Sequence, residues 1–183
     1  MYDSSNFEVG HEHRAEPLRE APQRNLGGGA DRRGENLNDA GTRTIRLLLV
    51  DDRPTIRMGL RIWLALEPNM EVVGEASDGA EAISLARALR PDVVLMDVEM
   101  PGMDGISATA ALRSVVPHSV VVILTLYDDA ATRTRAQEAG AAAFVANHRI
   151  EERLLTEIRR VAMVHEKQRR HKRPVERHEG RDV

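Results

Sequence analysis

Asp51 and Asp52 follow the apolar run Leu47–Val50, Asp97 follows Val93–Met96, and Thr125 follows Val120–Leu124. Three carboxylates and one hydroxyl thus stand at the ends of three hydrophobic stretches of strand length. Carboxylates held within a few ångströms of one another resist ionisation, and a hard divalent cation reverses that by favouring the charged forms. Mg2+ is such a cation: it takes oxygen ligands, keeps several waters and commonly binds one or two carboxylates together with a phosphate. An aspartate beside it can attack a phosphoryl group and become an aspartyl phosphate. The Thr125 hydroxyl can then donate to one of the transferring oxygens. Taken singly, an Asp at a strand end is often a helix cap and a Thr is usually structural. Their coincidence at three strand ends is what points to chemistry.

The elements between these residues must bring them together. Ile45–Val50 is a continuous apolar run, as expected of a strand covered on both faces. Pro54 suits a first helical turn, and Ile56, Leu60 and Leu64 repeat at helical spacing after it. Glu71–Glu75 reads as a second strand, Asp78 with Glu81 as a capping box opening a helix Gly79–Leu89, and Asp92–Asp97 as a third strand after Pro91. Asp104 is placed to cap a helix reaching about Ser114, after a loop with Pro101 and Gly102. Ser119–Leu124 and Ala142–Ala146 complete the strands, with a helix between them capped by Asp128 and ending near Ala139. A last helix starts near Ile150 and runs at least to Val164, with Ile150, Leu154, Ile158 and Val161 on one face. Such alternation predicts an α/β fold, a doubly wound five-stranded parallel sheet with five helices, and in a flavodoxin-like order, 2-1-3-4-5, strands one, three and four lie side by side. Ligands belong outside the carboxyl ends of its strands, where Asp51, Asp52, Asp97 and Thr125 fall.

Composition sets the outer limits. The chain has 183 residues, of which 42% are hydrophobic but only 3% aromatic, so the core must be aliphatic. A formal net charge of -3 argues against a nucleic-acid footprint over the whole surface. The absence of cysteine removes disulfides, thiolate metal sites and thiol catalysis. No apolar run approaches the roughly 18 residues of a membrane helix, and the N-terminus has no hydrophobic signal region, so the expectation is a soluble cytoplasmic protein. Residues 1–44, with Gly27–Gly29 and little apolar periodicity, read as a disordered extension. His11 and His13 within it read as exposed tail residues rather than ligands. Residues 45–165 form the folded domain, and 166–183 form a basic tail with Arg169, Arg170, Lys172 and Arg173.

The motifs Leu-Leu-Val-Asp51-Asp52, Leu-Met-Asp97-Val-Glu-Met-Pro-Gly-Met-Asp-Gly and Ile-Leu-Thr125 resemble the receiver domain of two-component response regulators. Asp51-Asp52-Arg53-Pro54 and the Met100–Gly105 loop are most similar to the NarL/LuxR-type subfamily, and the likeness spans roughly Arg46 to Val164. The resemblance implies that Asp97 accepts a phosphoryl group from a histidine kinase or a small phosphodonor. It further implies that Asp51, Asp52 and Asp97 hold Mg2+ with the backbone carbonyl of Glu99. Thr125 and Phe144 match the switch pair of that family, and the same resemblance implies that Glu99 and Tyr127 flank the acyl phosphate. Partners would dock on the fourth helix, fifth strand and fifth helix, with a homodimer as one form of that contact. The chain would be no enzyme beyond self-phosphorylation and autodephosphorylation.

Two departures qualify the resemblance. The lysine of the family, three residues after the aromatic, is here Asn147. A charge-assisted hydrogen bond is worth about 1.5–3 kcal/mol, and a neutral amide recovers part of it. His148 beside it is a poor substitute, because neighbouring side chains on a strand point to opposite faces. A pseudo-receiver that binds partners without phosphate control is therefore the first alternative. The subfamily also carries a C-terminal helix-turn-helix that is not found in this sequence, so DNA binding is expected only if the chain is a truncated transcription regulator. An Mg2+-dependent phosphohydrolase is disfavoured, since no cap domain or phosphate-binding glycine loop is recognisable.

Overall fold

The computed structural model describes residues 43–126 and 129–172. Within them five parallel strands alternate with five helices: β1 (Ile45–Val50), α1 (Pro54–Leu64), β2 (Met70–Ala76), α2 (Gly79–Leu89), β3 (Val93–Asp97), α3 (Gly105–Val115), β4 (Val120–Thr125), α4 (Ala130–Ala139), β5 (Ala143–Ala146) and α5 (Ile150–Lys172). The sheet order is β2-β1-β3-β4-β5, the flavodoxin-like order expected from the sequence. His11, His13, Tyr127 and the basic residues after Lys172 lie outside the described residues. No described helix is long and apolar enough to cross a membrane.

Side chains of consecutive strand residues point to opposite faces, and both faces of this sheet are covered. Leu47, Leu49, Val93, Leu95, Val122 and Leu124 therefore pack on one side with Leu60 and Leu64 of α1 and Leu154, Ile158 and Val161 of α5. Leu48, Val50, Val94, Met96, Val121 and Ile123 pack on the other with Ala82 and Ala86 of α2, Ala108 and Leu112 of α3 and Ala136 of α4. This explains why the strand sequences are apolar throughout rather than alternating. Small residues on α2, α3 and α4 let those helices sit close to the sheet.

Asp78 caps α2 by accepting from the Ala80 and Glu81 amides at 2.8 and 2.9 Å. The expected return bond of the capping box is displaced by one residue, because the Glu81 carboxylate accepts from the amide and hydroxyl of Ser77. Those bonds hold the Glu81 carboxyl below its ordinary range. Asp78→Ala is expected to lower stability by about 1 kcal/mol, measurable as a shifted urea midpoint with unchanged slope. Asp104 caps α3 through the Ser107 amide at 2.8 Å, as the sequence suggested. The cap of α4 is a correction. Asp129, not Asp128, accepts from the Thr132 amide at 2.8 Å, and Asp128 lies outside the described residues.

The ends of the folded region also differ from the sequence expectation. Arg43, read as part of the N-terminal extension, forms ion pairs with Asp92 and Glu166. Helix α5 continues to Lys172, into the segment read as tail. His165 helps to hold it, with its Nε2 at 3.0 Å from the His118 carbonyl.

Candidate functional site

Because β1, β3 and β4 are neighbours running the same way, their carboxyl ends form one edge. Asp97 is the last residue of β3, Thr125 the last of β4, and Asp51 and Asp52 directly follow β1. The three aspartates each offer a carboxylate oxygen within 4.8 Å of the others. Asp51, Asp97 and Thr125 are buried, while the Asp52 side chain is 36% exposed. A cleft of about 180 Å³ opens above them, lined by Asp52, Arg53, Asp97, Glu99, Thr125 and Leu126. Three close oxygen donors of this kind fit a hard divalent ion, and the donor set contains no soft ligand.

Local structure fixes each aspartate. The carbonyl of Asp51 accepts from Arg57 Nη1 at 2.5 Å, and Arg57 in turn pairs with Glu75 at the end of β2. Asp97 Oδ1 accepts from the Val98 amide at 2.9 Å, which turns its other oxygen toward the cleft. Burial, and then the neighbouring Asp51 charge, push the Asp97 carboxyl up to about 6. Arg53 and the Val98 amide pull in the opposite direction without overcoming them. The charge of an ionised Asp97 is thus incompletely compensated by the protein.

The structure brings together Asp51, Asp52, Asp97, Glu99 and Thr125. Phe144 stands on the neighbouring strand, packed on the α2–α4 side with the Arg133 guanidinium 4.5 Å above its ring, and it lines a separate hollow with Arg133, Ala136 and Ala141. The strand β5 ends at Ala146, as the sequence suggested, and Asn147 directly after it opens a short 3₁₀ turn, Asn147–Arg149, in which His148 is exposed.

Sequence reasoning missed Arg53. Its guanidinium grips both oxygens of Asp51 at 3.1 Å and lies 3.5 Å from Asp97 Oδ2 and 3.8 Å from Asp52 Oδ1. The signal that could have found it was a cation placed directly after two carboxylates. The hydrogen bond to Asp51 raises the Arg53 pKa further above its ordinary value.

The pattern of the response regulator receiver domain matches residues 47–159. The transcriptional regulatory protein LiaR of Bacillus subtilis is 45% identical over 101 residues, which are 55% of this chain and 48% of LiaR. A protein-glutamate methylesterase/protein-glutamine glutaminase of Anaeromyxobacter dehalogenans is 47% identical over 100 residues, 54% of this chain and 29% of that protein. The crystal structure of a LuxR-family two-component response regulator from Aurantimonas superposes with a TM-score of 0.64 at 36% identity, covering 66% of this chain and 86% of that one. The chain spans about half or less of the length of these two curated relatives. The chain belongs to the response regulator receiver domain family.

Proposed function

We propose that this chain is a phosphorelay receiver in which Asp97 accepts a phosphoryl group from a histidine kinase or a small phosphodonor. The observation that carries this reading is the convergence of Asp51, Asp52 and Asp97 beneath a solvent-open cleft bordered by Thr125. Asp51, Asp52, Asp97 and the backbone carbonyl of Glu99 are the proposed Mg2+ ligands. When bound, the ion offsets negative charge on the carboxylates and on the transferring oxygens. One Asp97 carboxylate oxygen attacks phosphorus; the bond from phosphorus to the donor breaks, and the donor leaves with the electron pair. The Thr125 hydroxyl donates to a phosphoryl oxygen, and Phe144 follows its movement inward.

The readout falls to α4, β5 and α5. Of the ten residues in α4, Ala136 alone is buried, so this helix is weakly anchored and able to shift when Thr125 moves. A kinase and a downstream protein, or a second copy of the chain, are the proposed partners of this face. A second reading has its own observation in Asn147, which leaves the phosphoryl group without the lysine of the family. On that reading the domain binds partners constitutively.

The two readings separate in one experiment. Incubation of the full chain with acetyl phosphate and Mg2+ is expected to add one acid-labile phosphoryl group by intact mass, and none after chelation. A chain that stays unmodified with Mg2+ present supports the interaction module instead.

A further inference from the structure

Among the described residues lining the cleft, Arg53 is the one cation. Its guanidinium spans the whole carboxylate cluster, forked on Asp51, beside Asp97 and within reach of Asp52. Those same oxygens are the ones a divalent ion requires. A guanidinium and a metal ion repel each other and cannot both take both oxygens of Asp51 and the inner oxygen of Asp97.

The way Arg53 is built in suits withdrawal. Its backbone is pinned, because its amide donates to Asp51 Oδ1 at 2.9 Å and Pro54 begins α1 immediately after it. Its side chain is 37% exposed. The charged end can therefore swing into solvent, while its tether keeps it at the mouth of the cleft. The position also precedes the first turn of α1, where a side chain usually accepts from the helix amides; Arg53 makes no such cap. Its orientation answers to the carboxylates.

We propose that Arg53 is the resident cation of the site: it neutralises the Asp51–Asp52–Asp97 cluster in the metal-free protein and is exchanged out of the cleft when Mg2+ binds. This rests on the metal-site reading above and adds to it a competitor supplied by the chain itself. Metal loading is then weaker than the carboxylates alone would allow, and it releases a fork-shaped donor at the entrance.

Titration calorimetry of the full chain with Mg2+ alone tests this. Arg53→Gln is expected to bind Mg2+ about tenfold more tightly than the parent, equivalent to about 1.4 kcal/mol. Arg53→Lys should fall between them, because an ammonium is a point charge without the fork. Dissociation constants agreeing within about twofold, some 0.4 kcal/mol, across all three proteins would make Arg53 a fixed brace and overturn the proposal. If all three bound Mg2+ equally while acetyl phosphate still modified them, the receiver reading would survive alone. If none bound Mg2+, both would fall. In the unaltered chain, the Arg53 Nε–H resonance should move and exchange faster with solvent on Mg2+ addition; a resonance unmoved at saturation would also overturn the exchange.

Discussion

Asp97→Asn is expected to take up no phosphoryl group from acetyl phosphate and, in the metal-free protein at pH 7, to be more stable than the parent. The first effect follows from chemistry, since the amide has no nucleophilic oxygen to offer. The second follows from proton linkage. The Asp97 carboxyl titrates near 6 in the folded chain, against 3.8 for an unperturbed aspartate. Between those values the folded state holds a proton that the unfolded state has released, so stability falls as pH rises through the window. At pH 7 the folded chain carries an unfavourable charge that an asparagine lacks. The Val98 amide that bonds Asp97 Oδ1 finds the same acceptor in the amide oxygen, so that hydrogen bond is kept, and the local loss is confined to the 3.5 Å ion pair of Asp97 Oδ2 with Arg53. Each pKa unit corresponds to about 1.4 kcal/mol, and solvent screening on the cleft side holds the expected gain to about 1–2 kcal/mol. Urea unfolding with chelator at about pH 5 and pH 7 checks it: the parent loses stability over that interval, and the variant changes less. Equal slopes in the two proteins would show that Asp97 is not the group responsible.

The architecture was legible in the sequence because the sheet is buried on both faces, so its strands appear as unbroken aliphatic runs. The start of α2 was legible for a different reason: Asp78 has Glu81 three residues after it, the capping-box spacing, whereas the adjacent Ser77 has Ala80 at that distance. The start of α4 was not, because Asp128 and Asp129 are adjacent and either can serve; the amide of Thr132 selects the second. The length of α5 was obscured by its own chemistry. No apolar periodicity continues past Val164, and the contacts of His165 and Glu166 that tie down its later turns come from His118 and Arg43, far away in sequence. The carboxylate cluster was legible from strand ends alone. Arg53 was not, since Asp-Asp-Arg-Pro is an equally good helix entry and no spacing rule says which way the arginine turns. Only the three-dimensional proximity of Asp51 and Asp97 makes the inward orientation favourable.

Gly105→Ala is expected to cost more than a methyl added at any other glycine of the fold, and its reason ties the fold to the site. A Cβ at Gly105 would stand 1.8 Å from the Asp97 carbonyl oxygen, 2.9 Å from its carbon and 3.0 Å from Met96 Cγ. The obstruction is backbone, so no rotamer change relieves it. Either β3 or the first turn of α3 must move, and α3 is anchored there by the Gly105 amide on the Val98 carbonyl at 3.0 Å. Overpacking against a fixed backbone should cost about 3 kcal/mol or more. The strand that moves is the one carrying Asp97, so protein that remains folded should also bind Mg2+ more weakly and take up less phosphoryl group. Gly59 supplies the control. It lies within α1, and a Cβ there would meet nothing within 4 Å, so Gly59→Ala should be neutral or stabilising by about 0.5–1 kcal/mol through helix propensity alone. If urea midpoints and Mg2+ titrations moved equally little in both variants, the close seating of α3 on β3 would not be what holds Asp97 in the cleft.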